Sequence, residues 1–349
     1  MVIDESRMNV QFYDNFNNSM KKVIILAKKT NKETALILNT TVKSGDNYPI
    51  LLPIKKTFNL ICLGITISDK TGINNILKKI DGKVDYILFD IEQKNKELLN
   101  LQKIIIKNIH KSKILNYKTN DYTADSAYML LEQLVDFSKK KKIVIMGSGN
   151  IGSKLALKIV ERGSNVFISK RIFLESIQIA NAINIFKPKA CVGKAYPEKY
   201  SIIAKNCELL ICFSSTPIIN KKIIEQMKSN SIIIDGGIGT VQKNVIKIAH
   251  QKKIKIIRLD IRAGLSGMIT AIFETRKLLA ETSGFKKINN IEIVAGGFYG
   301  KLGDVIVDSI TNPREVIGIA DGMGGILRNQ YSISYKNKIQ KIDKWIKNN

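Results

Sequence analysis

Lys142-Ile143-Val144-Ile145-Met146-Gly147-Ser148-Gly149-Asn150-Ile151-Gly152 is the stretch that decides the fold. Four apolar residues follow Lys142 without interruption, as in a strand covered on both faces. Glycines then occupy the first, third and sixth places of the next six, and Ile151, Leu155 and Ile159 fall on one face of a helix. Strand, glycine turn and helix in that order give a GxGxxG pattern its mechanism. Gly147 permits the tight turn, Gly149 leaves room for a pyrophosphate to approach the backbone, and Gly152 lets helix and strand pack closely. Free N–H groups and the positive helix pole would face the phosphates. Gly147, Ser148, Gly149, Asn150, Ile151 and Gly152 are therefore expected to hold a dinucleotide.

The alternation continues outward from this motif. Strands are expected at Val166 to Ser169, Ala190 to Val192, Leu209 to Phe213, Ile232 to Asp235 and Lys255 to Leu259. Helices are expected at Phe173 to Phe186, Lys199 to Asn206, Lys221 to Met227 and Val241 to Gln251. Repeated strand and helix with short connections requires a parallel sheet covered on both faces. Upstream, Ala127, Leu130, Leu131, Leu134 and Val135 form one apolar helical stripe. Ala35 to Leu38, Leu60 to Ile65, Tyr86 to Phe89 and Ile114 to Tyr117 read as strands, with helices near Gly72 to Ile80 and Leu98 to Ile109.

The fold class expected is α/β: a doubly wound parallel-sheet Rossmann domain at 126–264 and a second α/β substrate domain formed by both flanks, chiefly 1–125. Residues 265–349 would supply a return helix through Glu281 and a glycine-rich strand segment that completes the substrate domain or forms a subunit contact. That segment contains Ile291 to Val294, Val305 to Val307 and Val316 to Ile319, with glycine-rich pieces at 295–300 and 321–325.

The end of the second strand bears on the cofactor. An acid there would hold a ribose 2′-hydroxyl, but the chain reads Ser169-Lys170-Arg171 with no acid until Glu175. A hydroxyl and two cations suit a 2′-phosphate, so NADP(H) is expected. Two later strand ends, Ser214-Ser215-Thr216-Pro217 and Asp235-Gly236-Gly237, should approach the nicotinamide half, because ligands of doubly wound sheets lie outside the carboxyl ends of strands.

Composition narrows the remaining possibilities. Lys and Arg number 56 against 30 Asp and Glu, a net charge of +26, in a chain of 349 residues. The lysines are scattered through nearly every segment among Ile and Asn, and no groove-entering helix or stacking motif accompanies them. No nucleic-acid partner is therefore expected despite the charge. The densest runs, Lys139 to Lys142 and Lys336 to Lys347, fall at an expected linker and at the terminus, where solvated charge is commonplace. Cys62, Cys191, Cys207 and Cys212 show neither CxxC nor disulfide spacing, and His110 and His250 are the only histidines. A cytoplasmic protein with no metal, no signal peptide at Met1 to Met8 and no membrane span follows as the expectation. A homodimer is allowed for.

The run from Thr123 to Ile238 resembles the two-domain dehydrogenases related to methylenetetrahydrofolate dehydrogenase and shikimate dehydrogenase. Thr123, Leu130 and Leu131 keep the spacing of the segment that opens the helix before the folate enzyme's Rossmann domain, without its proline and glycine. Cys207 to Pro217 and Ser231 to Ile238 look like these families' strand ends next to the nicotinamide. Gly264-Leu265-Ser266-Gly267-Met268-Ile269-Thr270 is similar to the folate enzyme's glycine-rich return helix. Dipicolinate synthase and alanine dehydrogenase share the architecture, so the resemblance implies an NAD(P)-dependent oxidoreductase rather than one reaction. A YxxxK motif is not evident in residues 1–60, and only Asn39 to Lys43 or Pro53-Ile54-Lys55 compare with the shikimate enzyme's lysine-bearing loop. Asn120-Asp121 compares loosely with that family's Asn-Thr-Asp segment.

Hydride transfer also needs an acid or base for the coupled proton. Lys118 and Asp121, just before the linking helix, are the expected catalytic pair; solvated loop charge is the plainer account of them. Asp260 and Arg262, after the last Rossmann strand, are expected to bind a small polar substrate or to pin the interdomain loop. Tyr299 is either a cleft residue or a packing aromatic. Two other function classes remain beside the NADP-dependent oxidoreductase: a dinucleotide-binding regulatory or sensor protein without turnover, and an electrostatic nucleic-acid binder.

Overall fold

Ile143 and Ile145 point into one hydrophobic core while Val144 and Met146 point into another, all four at most 1% exposed. Leu209 and Ile211 alternate with Leu210 and Cys212 between the same two cores. This two-sided burial is why these strands read as unbroken apolar runs. The computed structural model describes residues 5–41, 49–70, 72–94, 96–137, 141–328 and 331–349. The chain divides into two compact units, Met1–Met268 and Ile269–Asn349.

The first unit carries two sheets. It begins with α1 (Glu5–Thr30), β1 (Glu33–Thr40), β2 (Ile50–Leu51), β3 (Lys55–Lys56), β4 (Leu60–Ile67) and α2 (Ile73–Ile80). Then come β5 (Tyr86–Asp90), α3 (Leu101–Asn108), β6 (Lys113–Tyr117) and the linking helix α4 (Thr119–Leu134). The sheet order is β2-β4-β1-β5-β6, parallel throughout β4-β1-β5-β6, with the short strands β2 and β3 antiparallel to β4. Helix α1 buries Phe16, Met20, Val23 and Ala27 against it. That spacing of four, three and four is a legible helical stripe, so α1 is an element sequence analysis missed.

The second sheet is built from β7 (Ile143–Met146), α5 (Asn150–Glu161), β8 (Val166–Ser169), α6 (Phe173–Phe186), β9 (Ala195–Pro197) and β10 (Leu209–Cys212). It continues with α7 (Lys221–Gln226), β11 (Ile232–Asp235), α8 (Ile246–Gln251) and β12 (Lys255–Arg258). Its order is β12-β11-β10-β7-β8-β9, with every pairing parallel. Counted from β7 this is the 3-2-1-4-5-6 order of a Rossmann domain, with the switch point between β7 and β10. The chain is thus an α/β protein with a doubly wound parallel-sheet Rossmann domain beside a second parallel α/β layer.

Two expected elements differ. The third Rossmann strand lies at Ala195–Pro197 rather than Ala190 to Val192. Residues before it run tight along the end of α5, where a Cβ on Gly193 would stand 2.3 Å from the Val160 carbonyl oxygen. Where a helix is expected at Lys199 to Asn206, residues 200–206 form consecutive turns and end at Asn206 in the left-handed region.

Helix α9 (Arg262–Lys277) spans the boundary between the units. The second unit contains β13 (Gly284–Ile288), β14 (Ile291–Ala295), β15 (Val305–Val307), β16 (Val316–Ile319) and α10 (Ile333–Asn348). These strands pair only with one another, in the order β13-β14-β15-β16. The last third therefore brings a sheet of its own. The lysine-rich tail lies on α10, which buries Ile342 and packs Tyr335, Ile339, Trp345 and Ile346 on that sheet's core. Its charge occupies the outer face of a core helix.

Candidate functional site

Three strand ends converge at the glycine turn. The Gly147 N–H donates to the Ser169 carbonyl oxygen at 3.0 Å, and a Cβ on Gly147 would lie 3.0 Å from Phe213 C and Ser214 N. Its φ of +77° is the left-handed conformation that glycine adopts without strain. A Cβ on Gly152 would meet the Gly147 carbonyl oxygen at 2.9 Å and Ile145 Cγ2 at 3.2 Å, so that glycine sets the close packing of α5 on β7. Around Gly149 nothing lies within 4 Å of the Cβ position. Of the three glycines of the motif, the one with open space is the one assigned to the ligand's approach. The first intrahelical bond of α5 runs from Ser153 N–H to the Gly149 carbonyl oxygen, so the N–H groups of Asn150, Ile151 and Gly152 have no intrahelical acceptor. Ser148 is wholly buried, with Oγ donating to the Ile145 carbonyl oxygen at 3.3 Å and its own carbonyl accepting Ser153 Oγ–H at 3.1 Å, so it packs behind the turn.

At the end of β8, Ser169 is buried and the Lys170 ammonium pairs with Glu175 at 2.5 Å. Lys170 N–H donates to the buried Ser176 Oγ at 2.8 Å. Arg171 is exposed and makes no ion pair among the described residues. Glu175, distant in the linear pattern, is thus next to the cations through the first turn of α6.

The ends of β10 and β11 touch each other. A Cβ on Gly237 would stand 1.9 Å from the Ser214 carbonyl oxygen, and one on Gly236 would stand 2.4 Å from the Phe213 ring. Ser214 Oγ lies 3.2 Å from Thr216 Oγ1 and accepts the Thr216 N–H; Ser215 and Thr216 are exposed. The Asp235 carboxylate turns into its own loop, accepting Gly239 N–H at 2.7 Å and Thr240 Oγ1–H at 2.9 Å. Ile238 at φ +60° sits in the left-handed region that costs a β-branched residue most.

A second polar cluster, which sequence analysis did not find, stands at the carboxyl ends of β1, β5 and β6. Asp90, with a fully buried side chain, accepts Thr40 Oγ1–H, Thr119 Oγ1–H and the Lys94 ammonium on Oδ2, each at 2.6 Å. Burial alone would push the Asp90 carboxyl up, but the Lys94 charge and these three hydrogen bonds outweigh it and hold the carboxyl below the usual range. Lys94 also lies 3.3 Å from Glu92, whose Oε2 accepts Asn120 N–H at 2.8 Å. Beside them, Tyr117 and Tyr122 direct their hydroxyls at Asn39 Oδ1, at 2.8 and 3.4 Å. Burial, followed by neighbouring negative charge, pushes both phenols up, so they serve as neutral donors. The available signal was an acid at a strand end followed four residues later by a lysine, placed where open α/β sheets bind ligands.

The expected catalytic residues separate. Helix α4 begins at Thr119, so Lys118 is its N-cap residue, exposed and without a side-chain partner among the described residues. Asp121 lies in the first turn and pairs with Lys154 of α5. Asp260 and Arg262 pair with each other, Arg262 Nε donating at 2.7 Å, and both are exposed. The Arg262 hydrogen bonds hold the Asp260 carboxyl low. Lys55 stands within electrostatic reach of both; burial pushes its ammonium down, and Arg262 adds to that while Asp260 opposes it. Val42, Lys43, Lys139 and Lys140 lie outside the described residues. At Gly264 a Cβ would stand 2.2 Å from Ser126 Oγ, so glycine permits α9 to cross α4. In the second unit Tyr299 is 69% exposed, with its ring against Gly324, so it is no core aromatic.

No family model and no curated protein matches the chain. Among solved structures it is similar to a shikimate dehydrogenase in complex with NADP+ (14% identity, 69% of this chain and 90% of that chain, TM-score 0.42). It is also similar to shikimate 5-dehydrogenase from Listeria monocytogenes in complex with shikimate and NAD (11% identity, 71% and 93%, TM-score 0.42). A third is the dipicolinate synthase A chain from Bacillus subtilis (14% identity, 70% and 96%, TM-score 0.35). The Rossmann assignment rests on this chain's own strand order and glycine turn. No helix of the described residues is long and apolar enough to cross a membrane.

Proposed function

We propose that this chain is an NADP(H)-dependent oxidoreductase acting on a small polar metabolite, held in the cleft between the Rossmann domain at 126–264 and the substrate layer at 1–125. The observation that carries this is the glycine turn at the switch point: Gly147 and Gly152 are sterically required, while Gly149 opens onto empty space. The donor set fits a dinucleotide. Gly147, Gly149, Asn150, Ile151 and Gly152 would hold the pyrophosphate, with the buried Ser148 supporting the turn from behind. Ser169, Lys170 and Arg171 would hold a 2′-phosphate, with Arg171 the cation not already neutralised. Ser214, Ser215, Thr216, Asp235, Gly236 and Gly237 would line the nicotinamide side. When bound, the dinucleotide supplies or accepts a hydride.

The residues of the substrate layer orient the metabolite and move the coupled proton. Lys118 and Asp121, at the start of α4, are the proposed proton-transfer residues, while Lys94, its ammonium held between Asp90 and Glu92, would orient a polar group of the metabolite. Asp260 and Arg262 would bind polar groups of the substrate at the rim. A nucleic-acid partner is not part of this proposal, and the protein is taken to work in the cytoplasm.

Titration of NADPH and NADH, followed by nicotinamide fluorescence, tests the proposal. NADPH should bind about tenfold more tightly, and Arg171→Ala should remove most of that preference through loss of a charge-assisted contact. Absence of binding by either nucleotide would overturn the oxidoreductase proposal; equal binding would overturn the role given to Lys170 and Arg171.

A further inference from the structure

The acids and lysines at the head of the substrate layer form a chain of alternating charge. Asp90 pairs with Lys94 at 2.6 Å, Lys94 with Glu92 at 3.3 Å and Glu92 with Lys154 at 3.8 Å, and Lys154 pairs in turn with Asp121. Its members belong to different parts of the first unit. Asp90 ends β5, Glu92 and Lys94 lie in the loop after it, Asp121 is in the first turn of α4, and Lys154 projects from α5. Helix α5 is the one whose amino end carries the glycine turn. Glu92 is the pivot: Oε2 faces Lys94 and the Asn120 N–H, while Oε1 faces Lys154. Its side chain is 13% exposed and that of Lys94 12%, against 37% for Lys154 and 43% for Asp121. The sheltered end of the chain thus lies at Lys94 and the wet end on the Rossmann helix.

The same two helices are laced further along, where Lys158 reaches Asp125 at 2.8 Å and Arg162 reaches Glu132 at 3.2 Å. These additional pairs, together with the burial of Ala127 and Leu131 in the Rossmann core, already fasten α4 to α5. The Glu92–Lys154 contact is the one ion pair among them that carries the connection past α4 into the loop bearing Lys94. Because α4 and α5 are tied by these other contacts as well, this pair is placed to set the position of the loop.

We infer that Glu92 and Lys154 are positioning residues, which fix the Lys94 ammonium relative to the cofactor-binding helix. The inference rests on the proposed role of Lys94 in orienting the metabolite. With the clamp in place, Lys94 is confined between two carboxylates. Without it, the loop after β5 keeps the Asp90 contact but loses its tie to α5, and the amine gains access to solvent.

Acetylation by acetic anhydride, with each lysine followed by peptide mass spectrometry in the protein without ligand, tests this directly. Lys118 serves as the exposed internal reference. In the wild type Lys94 should label about tenfold more slowly than Lys118, as a shielded amine held by two acids should. Glu92→Gln and Lys154→Met should each raise the Lys94 rate about threefold, the scale of a partly exposed ion pair, while Lys154→Arg restores the wild-type rate. Circular dichroism establishes that each variant is folded; were Glu92→Gln to unfold, the surface variant Lys154→Met decides. A Lys94 rate unchanged in folded Lys154→Met, or a rise that Lys154→Arg fails to reverse, would overturn the inference. NADPH titration of the wild type is the separate arm: absence of binding would remove the oxidoreductase proposal, whereas the labelling ratio still decides whether the clamp exists.

Discussion

The Lys94 ammonium lies 2.6 Å from Oδ2 of Asp90, a carboxylate with no exposed side-chain surface. Two threonine hydroxyls share that oxygen, so the acid is fully committed and the lysine is held from one side. Removing the carboxylate would leave a sheltered ammonium beside two orphaned hydroxyls.

Asp90→Asn should therefore destabilise the protein by about 3 kcal/mol at pH 7, the usual result of removing one partner of a buried pair. The pH dependence follows from the lowered carboxyl. Its folded pKa lies below the unfolded value of about 3.9, so its stabilisation is complete well above that pH and fades as pH falls through the folded value. Urea unfolding midpoints of wild type and variant should draw together as pH falls below the unfolded value of about 3.9. A gap that stays constant with pH would show that Asp90 is not ionised in the native state.

The glycine turn predicts two alanine variants with opposite phenotypes. At Gly149 the Cβ position is clear and φ is −76°, so Gly149→Ala should fold with nearly wild-type stability. Its methyl occupies the space assigned to the pyrophosphate, and NADPH affinity should fall about a hundredfold, as for a lost close approach. Gly152→Ala meets a carbonyl oxygen at 2.9 Å and should cost about 1–3 kcal/mol of stability through overpacking. Thermal unfolding and NADPH titration of the pair distinguish the roles; unchanged affinity in Gly149→Ala would remove that glycine from the site.

Thiol chemistry offers an independent check on burial. Cys62 and Cys207 are pushed up to about 12 and Cys212 to about 11, chiefly by burial. At pH 8 their thiolate fractions are on the order of one in a thousand or less. Cys191 is half-buried, its Sγ donating to the Val160 carbonyl oxygen at 2.9 Å. Ellman's reagent should titrate no more than one thiol rapidly in the native protein and all four in guanidinium. Rapid reaction of two or more native thiols would contradict this packing of the two sheets.

The Rossmann domain was legible because its information is local. A strand buried on both faces must be apolar at every position, a turn at φ +77° selects glycine, and a helix packed closely on that strand selects glycine again at Gly152. All three conditions fall within the eleven residues from Lys142 to Gly152. Helices α1 and α10 were equally local, their stripes being Phe16, Met20, Val23 and Ala27 in one and Tyr335, Ile339 and Ile342 in the other. Scattered lysines on their outer faces obscured both.

What only the tertiary structure decided is which charges meet. Lys118 and Asp121 are three residues apart in sequence, yet Asp121 pairs with Lys154, more than thirty positions away on another helix. Asp90 gathers Thr40 and Thr119 from strand ends that parallel pairing in the order β1-β5-β6 sets side by side. Lys170 reads as a free cation until the first turn of α6 brings Glu175 against it. Periodicity along the chain reports the side on which a residue is buried, so by itself the sequence determined the layers and the glycine turn. A charge network depends on strand order and helix docking, which only the assembled sheets create.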